Sequence, residues 1–186
     1  MSQQPRESLV LCEGYHDRAF WKGWLEKLGC SGPKTDPDSG RPRRIVDPFG
    51  KAVDRGEFGF RAASGRFVRV QPCHGNRVPG ELRKRLEDSK TQLRDRIIVN
   101  VDSPQTLITS APAPLQSSNV ADVARQVFDD ASSSGDDRVV CNADQIAITI
   151  VRWSVADRAD EGVPPAQTLE RLVCRAMVAA YPQRGP

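Results

Sequence analysis

Four short apolar runs, each followed by a stretch with helical periodicity, constrain this chain more than any other feature of it. The first run, Ser8-Leu9-Val10-Leu11-Cys12, is continuous rather than alternating. That pattern suits a strand buried on both faces of a parallel sheet. After Glu13-Gly14, the residues Phe20, Trp21, Trp24, Leu25 and Leu28 recur at steps of one, three and four. Such spacing makes the core-facing stripe of an amphipathic helix, and Gly29 is placed to cap its end. Phe58-Gly59-Phe60 and Phe67-Val68-Arg69-Val70 read as strands around an Ala63-Ser64-Gly65 turn. Pro79 to Leu93 reads as a helix with Leu82, Leu86 and Leu93 inward. Arg96 to Val101 is the plainest strand, and Asp102-Ser103-Pro104 ends it. A Pro- and Ser-rich loop follows as far as Ser118. Asn119 is placed to cap a helix carrying Val120, Val123, Ala124, Val127 and Phe128. Ser132 to Asp137 reads as a loop and Ile146 to Trp153 as a strand. Pro164-Pro165 opens a last helix, whose stripe of Leu169, Leu172, Val173, Ala176, Met177 and Ala180 reads as core.

Strand and helix thus alternate, which predicts an α/β, Rossmann-like fold. The expected sheet has about four strands, mainly parallel, with helices on both faces. Residues 1–186 read as one domain, with a core over about 8–155, a long polar loop over about 31–57 and a C-terminal helix over about 164–181. In such sheets the functional groups collect beyond the carboxyl ends of the strands.

Composition narrows the function classes. The formal net charge is +3, mildly basic and short of the charge of dedicated nucleic-acid binders. Between Ser31 and Arg77, ten lysines and arginines stand against five acids, which reads either as a solvated loop or as a phosphate-facing patch. The five cysteines form no CxxC pair, so they read as reduced thiols and not as a zinc or disulfide framework. The opening residues are polar and no apolar run approaches a membrane span. The expected location is the cytoplasm, with no membrane partner. No P-loop and no Ser-His-Asp spacing is present.

The chemistry lies at two strand ends. Glu13 follows the first strand and Asp102 the central one, so in a parallel sheet both carboxylates leave the same edge. Asp17 lies four residues after Glu13, in the opening turn of the first helix, where the helix dipole favours a carboxylate. Each acid alone also reads blandly, as a strand-end or first-turn residue. Together they form an oxygen-rich site suited to Mg²⁺ or Mn²⁺. Arg18, His74, Asn76 and Arg77 are candidates for the surrounding rim or for holding phosphate, although His74, like His16, also reads as a plain surface residue. By their spacing Trp21 and Trp24 read as core.

Leu9-Val10-Leu11-Cys12-Glu13-Gly14-Tyr15-His16-Asp17-Arg18 resembles the first motif of Toprim domains: an apolar strand, Glu-Gly, then Asp at plus four. The Asp-Arg pair and the aromatic helix after it are most similar to small stand-alone Toprim proteins and to the overcoming-lysogenization-defect nucleases. The resemblance implies Glu13 as general acid or base. It also implies a Mg²⁺-binding Asp-x-Asp motif after a later strand, with Asp102 matching its first Asp. Two positions on, this chain has Pro104, which has no ligating side chain. In the alternative register, Asn100-Val101-Asp102, the first acid is an amide. Either way one carboxylate of the motif is missing. The implied activity is a metal-dependent nuclease or related phosphodiester enzyme acting on DNA or RNA. The alternative is a degenerate, non-catalytic module that binds nucleic acid, a protein partner or a second copy.

Overall fold

The computed structural model describes residues 6–32, 45–53, 56–74, 77–92, 94–102, 116–153 and 169–181, for Asp102 the backbone only. Asn76, Leu93, Pro104 and the start expected for the last helix lie outside the described residues. The strands are β1 (Glu7–Cys12), β2 (Phe58–Arg61), β3 (Phe67–Pro72), β4 (Arg96–Asp102), β5 (Ser132–Ser133), β6 (Arg138–Cys141) and β7 (Ile146–Trp153). The helices are α1 (Tyr15–Lys27), α2 (Val78–Asp88), α3 (Ser117–Arg125) and α4 (Leu169–Ala180).

The strands form one sheet in the order β2-β3-β1-β4-β7-β6-β5. Its centre, β3-β1-β4-β7, is parallel. β2 joins one edge antiparallel, and β6 with β5 extends the other the same way. The sheet therefore has seven strands among the described residues, not about four. The expected parallel set is the centre, and short antiparallel hairpins widen it at both edges.

Side-chain alternation along the strands splits the core in two. Leu9, Leu11, Ile97, Val99 and Val101 face α2 and α3 and pack on Val78, Leu82, Leu86, Val120 and Ala124. Val10, Cys12, Val70 and Phe60 face the other way, against Leu25 of α1. Helices thus cover both faces. α3 is capped one turn earlier than expected. Its N-cap is Gln116, and Asn119 at N3 accepts the Gln116 N–H at 3.1 Å.

Two helical stripes differ from their sequence reading. On α1 only Leu25 of the stripe is buried, while Trp24 and Leu28 are 47% and 64% exposed. On α4, Leu169 is buried but Val173, Met177 and Val178 stay exposed. Periodicity identifies an apolar face and says nothing of what covers it. Among the described residues no helix is long and apolar enough to cross a membrane.

The cysteines are unbridged. Burial pushes the Cys73 and Cys141 thiols up to about 12, helped by the charge of Glu81 at Cys73 and of Asp130 at Cys141. Burial raises Cys12 further, with Asp17 adding to it. Raised thiol values mean that the fold favours the protonated form. Their contribution to stability is complete below the ordinary thiol value near 9 and is lost as pH climbs toward 12. Thermal melts across that range should show the decline. At neutral pH, timed alkylation should label Cys30 and Cys174 first and leave Cys12, Cys73 and Cys141 untouched until unfolding.

Candidate functional site

The parallel register assembles one rim. Cys12 lies opposite Asn100, so Glu13, one residue on, and Asp102, two residues on, leave the same edge of neighbouring strands. Adjacent strands are about 4.8 Å apart. On the other side of β1, Cys12 is opposite Pro72, and the Cys73 N–H donates to the Cys12 carbonyl at 2.7 Å. That bond carries His74 to the same edge. On the far side of β4, the Asp102 backbone lies opposite Trp153. Along the C-terminal edge the order is therefore His74, Glu13, Asp102, Trp153.

Asp17 reaches this rim from α1. Its Oδ2 accepts the Gly14 N–H at 2.9 Å, the backward half of a capping box on a helix whose cap residue has no side chain to reciprocate. Its Oδ1 accepts the Trp153 indole N–H at 2.7 Å, a bond between residues 136 positions apart. A second indole braces the helix one turn later. Trp21 Nε1 donates to Asn100 Oδ1 at 2.7 Å, and Asn100 Nδ2 donates to the Val151 carbonyl at 3.1 Å. Asn100 is wholly buried and its amide is engaged on both sides. It acts as a brace rather than a rim ligand, which leaves Asp102 as the acid of β4. Phe20 packs edge-on against Trp153, ring centres 4.9 Å apart.

The bond to Trp153 is a checkable element of this geometry. Trp153→Phe removes the donor and part of the buried indole, and should cost about 2–3 kcal/mol in chemical denaturation. Asp17→Ala orphans the buried indole N–H and removes the cap, and should cost about 3 kcal/mol. In the double variant the two losses should fall short of their sum, because they share one bond.

The basic candidates separate. Arg18 is half-buried and its guanidinium is engaged within the protein. Its guanidinium lies 4.7 Å from the Tyr15 ring centre and 4.3 Å from that of Phe58, and Nη1 donates to the Gly56 carbonyl. Cation–π contact with two rings makes it a clamp between α1 and β2. His74 is exposed, adopts a left-handed φ of 56°, and meets Tyr15 edge-on with ring centres 5.1 Å apart. Arg77, exposed, precedes α2. His16 is away from this group and pairs with Glu170 at 3.1 Å.

The phosphate-patch reading fails at Arg69. It is 3% exposed and donates to Glu7, to Glu57 at 2.7 Å and to Asp47 at 2.6 Å. Arg85 extends the network through Glu57 and Gln71, and Gln71 donates to Glu81 at 2.8 Å. Burial opposes the Arg69 charge, yet Glu7 and Glu57 overcome it and hold its pKa above the usual guanidinium value.

Among the described residues no group of three or more His, Cys, Asp or Glu side chains is gathered to hold a metal. The rim does offer hard oxygen donors. Asp17 is a buried carboxylate at a helix N-terminus, and Glu13 beside it is half-buried. Among the described residues each Asp17 oxygen accepts one hydrogen bond, and a carboxylate oxygen has a second lone pair to offer. That donor chemistry fits Mg²⁺ or Mn²⁺ and does not fit a thiolate- or imidazole-loving ion. Sequence reasoning missed Tyr15 and the role of Trp153. The only signal for either was an aromatic residue next to a strand end.

No protein-family model matches this chain, and no curated protein matches it. Among solved structures, it is similar to the crystal structure of a protein of unknown function from Thermoplasma acidophilum, at 13% identity over 96% of this chain and 77% of that one, with a TM-score of 0.31.

Proposed function

We propose that this chain is a Toprim-like, metal-dependent enzyme that cleaves or transfers phosphodiester bonds in nucleic acid. One observation carries the reading. The strand register sends Glu13 and Asp102 out of the same sheet edge, and Asp17 is tied by Trp153 to the strand that flanks Asp102. In this reading Asp17 and Asp102 hold a Mg²⁺ or Mn²⁺ ion together with Glu13. Glu13 also moves a proton to or from the attacking or leaving oxygen. The bound ion supplies charge neutralisation at the phosphoryl oxygens. His74 and Arg77 flank the rim where the phosphate backbone would pass. Arg18, clamped between Tyr15 and Phe58, holds α1 in place instead of touching the substrate.

The test is cleavage of single-stranded, duplex and supercoiled DNA and of RNA, with Mg²⁺ or Mn²⁺ and with a chelator. The reading expects cleavage of at least one substrate that the chelator abolishes. Cleavage that survives chelation, or none with either metal, contradicts it.

A second reading is a non-catalytic Toprim-like module that binds nucleic acid or a protein partner. It is favoured by the brace at Asn100, whose amide is already engaged, and by Pro104 where the motif has an acid. Metal-independent binding of nucleic acid without cleavage selects it.

A further inference from the structure

Among the described residues, the face of the sheet that carries α1 is half covered. α1 packs on β1, β2 and β3, and beside it the described residues leave a groove of about 590 Å³ running over β4 and β7. Val10, Val68, Ile98 and Ala147 form its floor, with Trp24 and Leu28 as one wall. Arg96 and Arg138 stand at its lip, both exposed. Arg66 also lines the groove but is engaged by Asp95, with Nη2 at 3.0 Å from Oδ2. Arg96 and Arg138 have no carboxylate partner among the described residues.

We propose that this groove docks an acidic amphipathic helix of a partner protein. The inference stands apart from the rim chemistry and uses the opposite half of the sheet. An apolar floor calls for an apolar surface to cover it. Two unneutralised arginines at one lip call for carboxylates. A floor two to three strands wide spans about 10 Å, close to the diameter of a helix with its side chains. One occupant meets all three demands: a helix with an apolar stripe and glutamates or aspartates along the flank facing Arg96 and Arg138. Helix α4 of a second copy would bring the exposed apolar residues Val173, Met177 and Val178, but its one carboxylate, Glu170, is paired with His16. A nucleic acid would bring the charge and flat bases for Trp24, but no aliphatic side chains to fill a floor of Val10, Val68, Ile98 and Ala147.

The probe is a dye-labelled synthetic helical peptide with leucines at i, i+3, i+4 and i+7 and glutamates on the flanks, followed by anisotropy and by tryptophan emission. Binding should saturate, weaken with added salt, and fall on the order of tenfold in the Arg96→Glu, Arg138→Glu double variant. Trp24→Phe should remove most of the emission change while leaving the anisotropy titration in place. Salt dependence on the unaltered chain needs no variant, so a poorly folded double variant does not rescue the idea. Equal binding of a peptide with lysines in place of the glutamates overturns it. So do displacement by oligothymidylate, self-association in sedimentation in place of peptide binding, and no saturation up to about millimolar peptide.

Discussion

Replacing Arg69 with leucine is expected to lower stability by about 3–5 kcal/mol, the range for breaking a buried ionic network from one side. Arg69 sits in mid-strand on β3 with its three guanidinium nitrogens donating to three carboxylates, those of Glu7, Glu57 and Asp47. Glu57 retains Arg85 at 2.7 Å, and Glu7 retains Arg94 at 3.3 Å. Among the described residues Asp47 keeps the backbone N–H groups of Phe49 and Lys51 and no other cation. Leucine would therefore leave negative charge buried without its main counter-charge. Against a typical total of about 5–15 kcal/mol, that loss is a large fraction of the stability and should shift the denaturation midpoint clearly. Arg69→Lys should not restore stability fully, because one ammonium cannot address three carboxylates in a fixed fork. Pairing Arg69→Leu with Asp47→Asn should recover part of the loss, since it removes the carboxylate left without a cation while the amide oxygen can still accept from Phe49 and Lys51. Urea denaturation of the set checks this. A single-variant loss under about 1 kcal/mol would mean that the network is far more hydrated than its burial implies.

Glu13→Gln is expected to lower metal-dependent cleavage by roughly 10²–10⁴-fold, the usual contribution of a positioned proton-transfer group. The substitution is nearly isosteric at a half-buried position beyond the end of β1. The melting temperature should therefore stay close to that of the unaltered chain. The contrast with Asp17 separates chemistry from architecture. Asp17 caps α1 and receives the Trp153 indole, so its loss should lower stability and activity together. Glu13→Gln should affect activity far more than stability. If Glu13→Gln cleaves at the unaltered rate, the rim is not where the proton moves.

The parallel centre of the sheet was legible because β1 and β4 are nearly continuous apolar runs and each is followed by a helical stripe. The edges were not. β5 is two serines, and β6 is only the four residues Arg138–Cys141, too short to stand out from turns. The stripes of α1 and α4 were visible, but their burial depends on neighbours that a local pattern does not encode. The Asp17–Trp153 and Trp21–Asn100 bonds join residues 136 and 79 positions apart, beyond the reach of any periodicity. Arg69 misled for a related reason. A lone arginine in an apolar strand looks like surface charge until Glu7, Asp47 and Glu57 are seen to converge on it from three segments.

The most direct test of the rim is a calorimetric titration of Mn²⁺ into the unaltered chain and into Glu13→Gln, Asp102→Asn and the double variant. The account predicts one saturable site whose affinity falls on the order of tenfold or more with either substitution. Heat that is absent, or that is the same in all four proteins, would mean that acids leaving one sheet edge do not act as a single site.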